Sequence, residues 1–242
     1  MQNLIRLAVS RLIKPVNDLF NLVFPFHCEY CGQTLKQGEN VLCSFCEYQL
    51  PLTHFHFHYN NPVEAIFWGR VFIESAASFL YYQKGEMVQH LIHQLKYHNK
   101  GHTGIYLGGL FGEHLLQSRR FSGAEVIIPV PLHWKKERFR GYNQSDKIAH
   151  GLAESMRLVK DTGSLRRRAH SVSQTHKARY DRWKNVHNIF ELSDSASWLE
   201  GRHILLVDDV ITTGATIEAC ANKLYEIKNV RLSVVSLACP NI

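Results

Sequence analysis

Long apolar runs are missing from this sequence. No stretch approaches the ~18 uninterrupted apolar residues that a membrane span needs, although 45% of the 242 residues are hydrophobic, ample for a packed core. A cleavable leader is not read either. Between Met1 and Phe26 the charges of Arg6, Arg11 and Lys14 interrupt every apolar run, and no small-residue cleavage site precedes the cysteines. A cytoplasmic protein is therefore expected. The phosphate-loop string G-x-x-x-x-G-K-[ST] is absent, and Gly104, Gly108, Gly109 and Gly112 follow no strand, which sets aside the usual glycine-rich nucleotide loops. Acidic residues are the minority, 21 against 28 Lys and Arg. The imbalance is local: between His133 and Lys184 there are 14 Lys and Arg and 5 Asp and Glu. The basic character thus belongs to one region, the one suited to face anions.

Four of the six cysteines are clustered as Cys28-Glu-Tyr-Cys31 and Cys43-Ser-Phe-Cys46. Two C-x-x-C knuckles supply four thiolates for a closed, structural tetrahedral zinc. A redox pair would want a thioredoxin-like setting, and disulfides an oxidising compartment; neither is indicated. Cys220 and Cys239 read as buried free thiols. His54, His56 and His58 alternate, so on a strand all three would face one way. A second metal site is one reading of them, and the polar face of a linker strand is the preferred one.

The stretch with the most chemistry is His203 to Thr216. An Ile, Leu and Val run, suited to a strand buried on both faces, ends in two adjacent carboxylates, Asp208 and Asp209. The turn Thr212-Thr-Gly-Ala-Thr216 follows, then a helix pattern from Ile217 to Ile227. Gly214 lets the backbone approach an anion, the helix start offers free N–H groups and its dipole to a phosphate, and Thr212, Thr213 and Thr216 add hydroxyls. The bland alternative is a strand, turn and helix with capping threonines.

Around this stretch the spacing predicts one or two strands in Ala65–Tyr82, a helix through Met87, Leu91, Ile92 and Leu95, and a second from Ile105 to about Gln117. A buried strand over Glu125–Pro131, a polar loop over Leu132–Tyr142 and a helix over Asn143–Met156 come next. Leu165–Ile189 shows no period, and Val230–Ala238 is a closing strand. Alternating strands and helices imply an α/β domain with a mainly parallel sheet. Ligands in such sheets bind beyond the carboxyl ends of the strands. The expected organisation is an amphipathic helix over 1–26 that packs on its own fold, a four-cysteine module and linker over 27–59, and an α/β domain over 60–242.

The string Val207-Asp-Asp-Val-Ile-Thr-Thr-Gly-Ala-Thr216 resembles the phosphoribosyl-pyrophosphate (PRPP) motif of type I phosphoribosyltransferases. Together with the four-cysteine finger, Leu95-Lys-Tyr97, Ile128-Pro-Val-Pro-Leu-His133, Arg140-Gly-Tyr-Asn-Gln144, Arg168, Ser173-Gln174, Arg182, Asn185 and Phe190, it makes nearly the whole chain similar to the ComF family, proteins tied to competence and DNA uptake. Tyr142 stands where such proteins often carry Phe, and Ala169-His170 alters the usual R-x-x-T-x-x-Q string. The resemblance implies a zinc finger joined to a phosphoribosyltransferase-like domain that binds PRPP or a ribonucleotide 5′-phosphate with Mg²⁺. In it Asp208 and Asp209 would take the ribose hydroxyls, directly or through Mg²⁺, and Val210 to Thr216 would cradle the 5′-phosphate. Arg140, Arg168 and Arg182 would be candidate cations for pyrophosphate, the latter two from a loop that closes over the ligand. The chain stops a few residues after its last strand, so any acceptor site is expected from the segment between Asn60 and Tyr97, where no base-reading pattern is seen. Two function classes stay open: an enzyme whose acceptor is not specified, and a non-catalytic adaptor for single-stranded DNA or proteins of a DNA-uptake machinery.

Overall fold

The computed structural model describes residues 25–97, 100–168 and 189–241. The lead helix expected over 1–26 (but for its last two residues), Arg182 and the Ser173, Gln174 and Asn185 positions fall outside the described residues. The chain divides into two compact units, Met1–Leu50 and Pro51–Ile242.

In the first unit, the described segment is two turns and one short helix. The Cys28 N–H donates to Gln33 O and the Gly32 N–H to Cys28 O, with Gly32 at φ +72° closing the first knuckle. The second knuckle opens helix α1 (Ser44–Tyr48). Glu39 braces it: its carboxylate accepts from the Lys36 N–H at 2.7 Å and from the Ser44 N–H at 2.7 Å.

The second unit is built on a five-stranded sheet in the order β1-β7-β6-β2-β3. The strands are β1 (Ser75–Tyr82), β2 (Val126–Pro129), β3 (Val159–Lys160), β6 (His203–Val210) and β7 (Arg231–Pro240), and every neighbouring pair is parallel. The first five residues of β6 are buried, as an apolar run flanked by two partners requires. Helices α3 (Met87–Tyr97) and α4 (Gly101–Leu116) connect β1 to β2; α5 (Trp134–Arg140) and α6 (Gln144–Met156) connect β2 to β3; α7 (Ala215–Leu224) connects β6 to β7. The connection from β2 runs to one side of the sheet and that from β6 to the other. The carboxyl ends of these adjacent strands therefore open into a crevice, the place where such sheets receive ligands.

Gly108 of α4 and Gly151 of α6 serve packing. A Cβ on Gly108 would run into the Ile148 carbonyl of α6, and one on Gly151 into the Ile105 carbonyl of α4. The two helices cross with backbone against backbone, which fixes the start of α6 relative to the sheet.

Ala65–Tyr82 holds one strand, β1, within the one or two expected; before it, Asn61 caps the short helix α2 (Pro62–Ala65) by accepting from the Val63 and Glu64 N–H groups. Three local expectations are corrected. His54, His56 and His58 do not share a strand face: Phe55–Phe57 is a 3₁₀ turn entered through His54 at φ +57°, and only His56 is buried. The polar loop expected over 132–142 contains α5, capped by the His133 side chain. The stretch read as structureless from 165 begins as β4 (Leu165–Arg167), antiparallel to β5 (Phe190–Leu192).

Candidate functional site

In the first unit, one set of candidate metal ligands stands out. The sulfurs of Cys28, Cys31, Cys43 and Cys46 all lie within 4.8 Å of one another, and it is the only such His, Cys, Asp or Glu cluster among the described residues. Cys31 Sγ and Cys43 Sγ are 3.8 Å apart, the S···S edge of ~3.8 Å that a tetrahedron with metal–sulfur bonds of ~2.3 Å demands. Burial pushes the Cys28 thiol up, but the N–H groups of Cys31, Cys43 and Tyr30 outweigh it and bring it down to about 7. The donor set could hold a metal and fits a closed structural one.

In the second unit, the crevice is organised by the acidic pair. Asp208 and Asp209 end β6, and their side chains leave in different directions to different partners. Asp208 Oδ1 accepts from the Ser145 hydroxyl at 3.0 Å, at the start of α6, and from the Asp209 N–H at 2.8 Å. Asp209 Oδ2 meets Lys96 Nζ of α3 at 2.7 Å. Burial, and after it the charge of Asp209, push the Asp208 carboxyl up to about 7 against the pull of the Asp209 N–H, Ser145 and Lys96. The pair is short of positive charge, an environment that a bound cation or a pair of donor hydroxyls would relieve.

The turn after the pair has the shape of an anion cradle. Ile211 is buried and anchors it, whereas Thr212, Thr213, Ala215 and Thr216 are exposed at the start of α7. Gly214 caps that helix at φ +72°, and a Cβ there would sit 2.6 Å from Ile66 Cγ2 and 2.8 Å from Phe67 Cε1. Both the backbone angle and the space exclude a side chain. The exposed side of the turn presents threonine hydroxyls next to the helix start, as phosphate binding requires.

Of the cation candidates, Arg140 stands near the pair. Its Nη1 donates to Gln144 Oε1 at 2.6 Å, one residue before Ser145, and its guanidinium lies 5.5 Å over the ring of Tyr97, next to Lys96. Arg168 is bonded at 2.9 Å to Glu191 at the end of the β4–β5 ribbon. Between Asp209 and α3 opens a cavity of about 500 Å³ lined by Tyr82, His93, Lys96, Tyr97, Asp209 and Thr212. Sequence reasoning noted Lys96 and Ser145 only inside or beside recurring strings. Their roles as carboxylate partners appear only when α3 and α6 are placed around β6.

No family model matches the chain. Competence protein F of Haemophilus influenzae is 27% identical over 227 residues, 89% of this chain and 97% of that protein. DNA utilization protein YhgH of Escherichia coli K12 is 28% identical over 219 residues, 84% of this chain and 92% of that protein. The chain is a homologue of these proteins. Competence protein ComFC of Bacillus subtilis adds 35% identity over 101 residues, 42% of this chain and 38% of that protein. Among solved structures, the glutamine PRPP amidotransferase of B. subtilis matches with a TM-score of 0.40 at 19% identity, over 59% of this chain and 30% of that one. An adenine phosphoribosyltransferase matches at 0.35 and 18%, over 58% and 70%. Among the described residues of this ComF-like chain, no helix is long and apolar enough to cross a membrane.

Proposed function

We propose that this ComF-like protein binds PRPP or a ribonucleotide 5′-phosphate at the carboxyl end of β6, and serves DNA uptake or DNA use in the cytoplasm. The observation that carries the reading is the continuity of the site: a charge-starved carboxylate pair runs directly into a turn whose exposed side is hydroxyls and a helix start. Asp208 and Asp209 accept from the two ribose hydroxyls. Thr212 to Thr216 hold the 5′-phosphate, and the segment after Pro131 lies on the pyrophosphate side with Arg140. The pair fits Mg²⁺, being hard oxygen donors with a deficit of positive charge; when bound, Mg²⁺ would neutralise pyrophosphate oxygens. The cavity beside Asp209 is the acceptor side. In the finger, Cys28, Cys31, Cys43 and Cys46 hold structural Zn²⁺, the metal that a closed set of four thiolates prefers. Calorimetry with PRPP tests the reading. Binding should need Mg²⁺ and be lost in Asp208→Asn/Asp209→Asn, a nearly isosteric change; equal affinity in wild type and double variant refutes it. Pyrophosphate release assayed over a panel of bases then decides for or against turnover.

One observation favours a second reading, in which the same fold is an adaptor for single-stranded DNA. Helix α5 has no buried residue, and presents Trp134 and Phe139 outward among Lys135, Lys136 and Arg138. Cations interleaved with aromatics track a phosphate backbone while bases stack. Tyr142, just beyond this helix, does not join them: it is buried and its hydroxyl donates to Leu95 O at 2.5 Å.

A further inference from the structure

Arg70 belongs to the turn that follows α2 and stands 143 residues before Thr213, yet it is bonded to the phosphate loop. Its Nη1 donates to the Thr213 carbonyl oxygen at 2.6 Å and to the Ile66 carbonyl at 3.1 Å. Its Nε donates to Glu218 Oε2 at 3.0 Å, and Nη2 reaches the same oxygen. Phe67, fully buried three residues earlier, roots the turn and forms with Ile66 the floor beneath Gly214.

Two consequences follow from elementary geometry and charge. A trans peptide is planar, with its carbonyl and N–H on opposite edges. Holding Thr213 O against Arg70 therefore holds the Gly214 N–H to the far side. Once released, the peptide before a glycine could turn over and present an oxygen in place of a donor. The second concerns Glu218, an acid in the first turn of α7. A lone carboxylate there favours the helix but opposes a phosphate at the same helix start. The paired bonds from Arg70 cancel that charge.

We infer that Arg70 is the positioning residue of the phosphate loop: it fixes the Thr213–Gly214 peptide in its donor-outward orientation and neutralises Glu218, acting through the loop rather than on the ligand. The inference rests on the phosphoribosyl reading above and names what keeps that site ready.

The test uses the full zinc-loaded chain with Mg²⁺, titrated with PRPP and separately with ribose 5-phosphate. Arg70→Gln should weaken both by about tenfold or more, the scale of losing charge-assisted bonds. Arg70→Gln/Glu218→Gln should recover part of that loss, a rescue that a merely structural strut would not give. Glu218→Gln alone, which keeps the bond to Thr213, should bind as tightly as wild type or more tightly. Arg70→Gln binding like wild type overturns the inference, as does Glu218→Gln binding as weakly as Arg70→Gln. Should Arg70→Gln fail to fold, Glu218→Gln still decides. A wild type that binds neither probe removes the phosphoribosyl reading itself, an outcome distinct from wild type and variants binding alike.

Discussion

His56 offers the sharpest test of how the second unit is held together. Its ring is 1% exposed and neither ring nitrogen has a hydrogen-bond partner. It lies against aromatic and imidazole rings, 4.1 Å from Phe57, 5.5 Å from His114 and 6.4 Å from Phe111 between centroids. Burial first, then the charges of His114, His54 and His58, bring its pKa from 6.5 down to about 4. A depressed imidazole binds its proton more readily in the unfolded chain. Its contribution to stability is therefore complete above the unfolded value and is lost as pH falls through the window between the two. Integrating that window from about pH 8 to about pH 5 gives a loss of about 2 kcal/mol from this one group. His114 and His203 are lowered as well, burial being the main cause in each, so they add to the loss with the same sign. The perturbation is His56→Phe, a ring that cannot protonate, set among phenylalanines. All four tryptophans lie beyond Pro51, so their fluorescence reports unfolding of the second unit and not of the finger. Urea titrations should show the variant losing about 2 kcal/mol less than wild type across that pH range. The difference between the two pH slopes decides, because overpacking by the larger ring could shift the level at every pH alike. Parallel slopes would refute the argument.

Elemental analysis should find one zinc per chain, and Cys43→Ser should lose it; stoichiometric zinc in the variant would reject the tetrad. Gly108→Ala should cost about 1–3 kcal/mol, since its Cβ meets backbone rather than a movable side chain. It should also weaken PRPP binding, because α6 carries Ser145 to Asp208. Single-stranded DNA binding, followed against salt, should show a log–log slope of about −0.7 per phosphate contacted, and should weaken in Lys135→Ala/Lys136→Ala; no binding at low salt would leave the small-molecule reading alone.

The chemistry of the site was legible where it is local. A buried strand, two acids, a small polar turn and a helix follow one another without interruption from His203, so periodicity and residue type placed β6, the pair and α7 together. The same holds for the cysteine knuckles, whose ligands are near in sequence. What stayed hidden is what the fold brings from afar. Lys96, Ser145 and Arg70 reach the acidic pair and its loop from three different connections, and a lysine on a helix face reads the same whether it meets solvent or a carboxylate. The histidine triplet misled because alternation was taken for a strand, whereas His54 turns through a left-handed backbone into a 3₁₀ turn that buries His56 and leaves His54 and His58 exposed. Gly108 and Gly112 were noted only for not being a phosphate loop; their purpose needed the partner helix.

That distribution of errors has a physical reading. Each hidden residue restrains a group that the motif supplies: Lys96 holds Asp209, Ser145 holds Asp208, and Arg70 holds Thr213. The motif alone gives acids and donors on a turn with freedom to rearrange. The three restraints come from α3, from α6 and from the turn after α2, all packed on the same sheet, so the site inherits the rigidity of the core rather than the mobility of a loop. On the phosphoribosyl reading proposed above, a ligand would meet donors already aimed and carboxylates already held, and less of its binding energy would go into ordering the protein. The Gly108–Ile148 contact extends the same argument one layer outward. If the restraint of α6 matters to binding, enlarging Gly108 should weaken the ligand through Ser145 while Lys96 and Arg70 keep their partners; if it does not, Gly108→Ala would lower stability and leave affinity untouched.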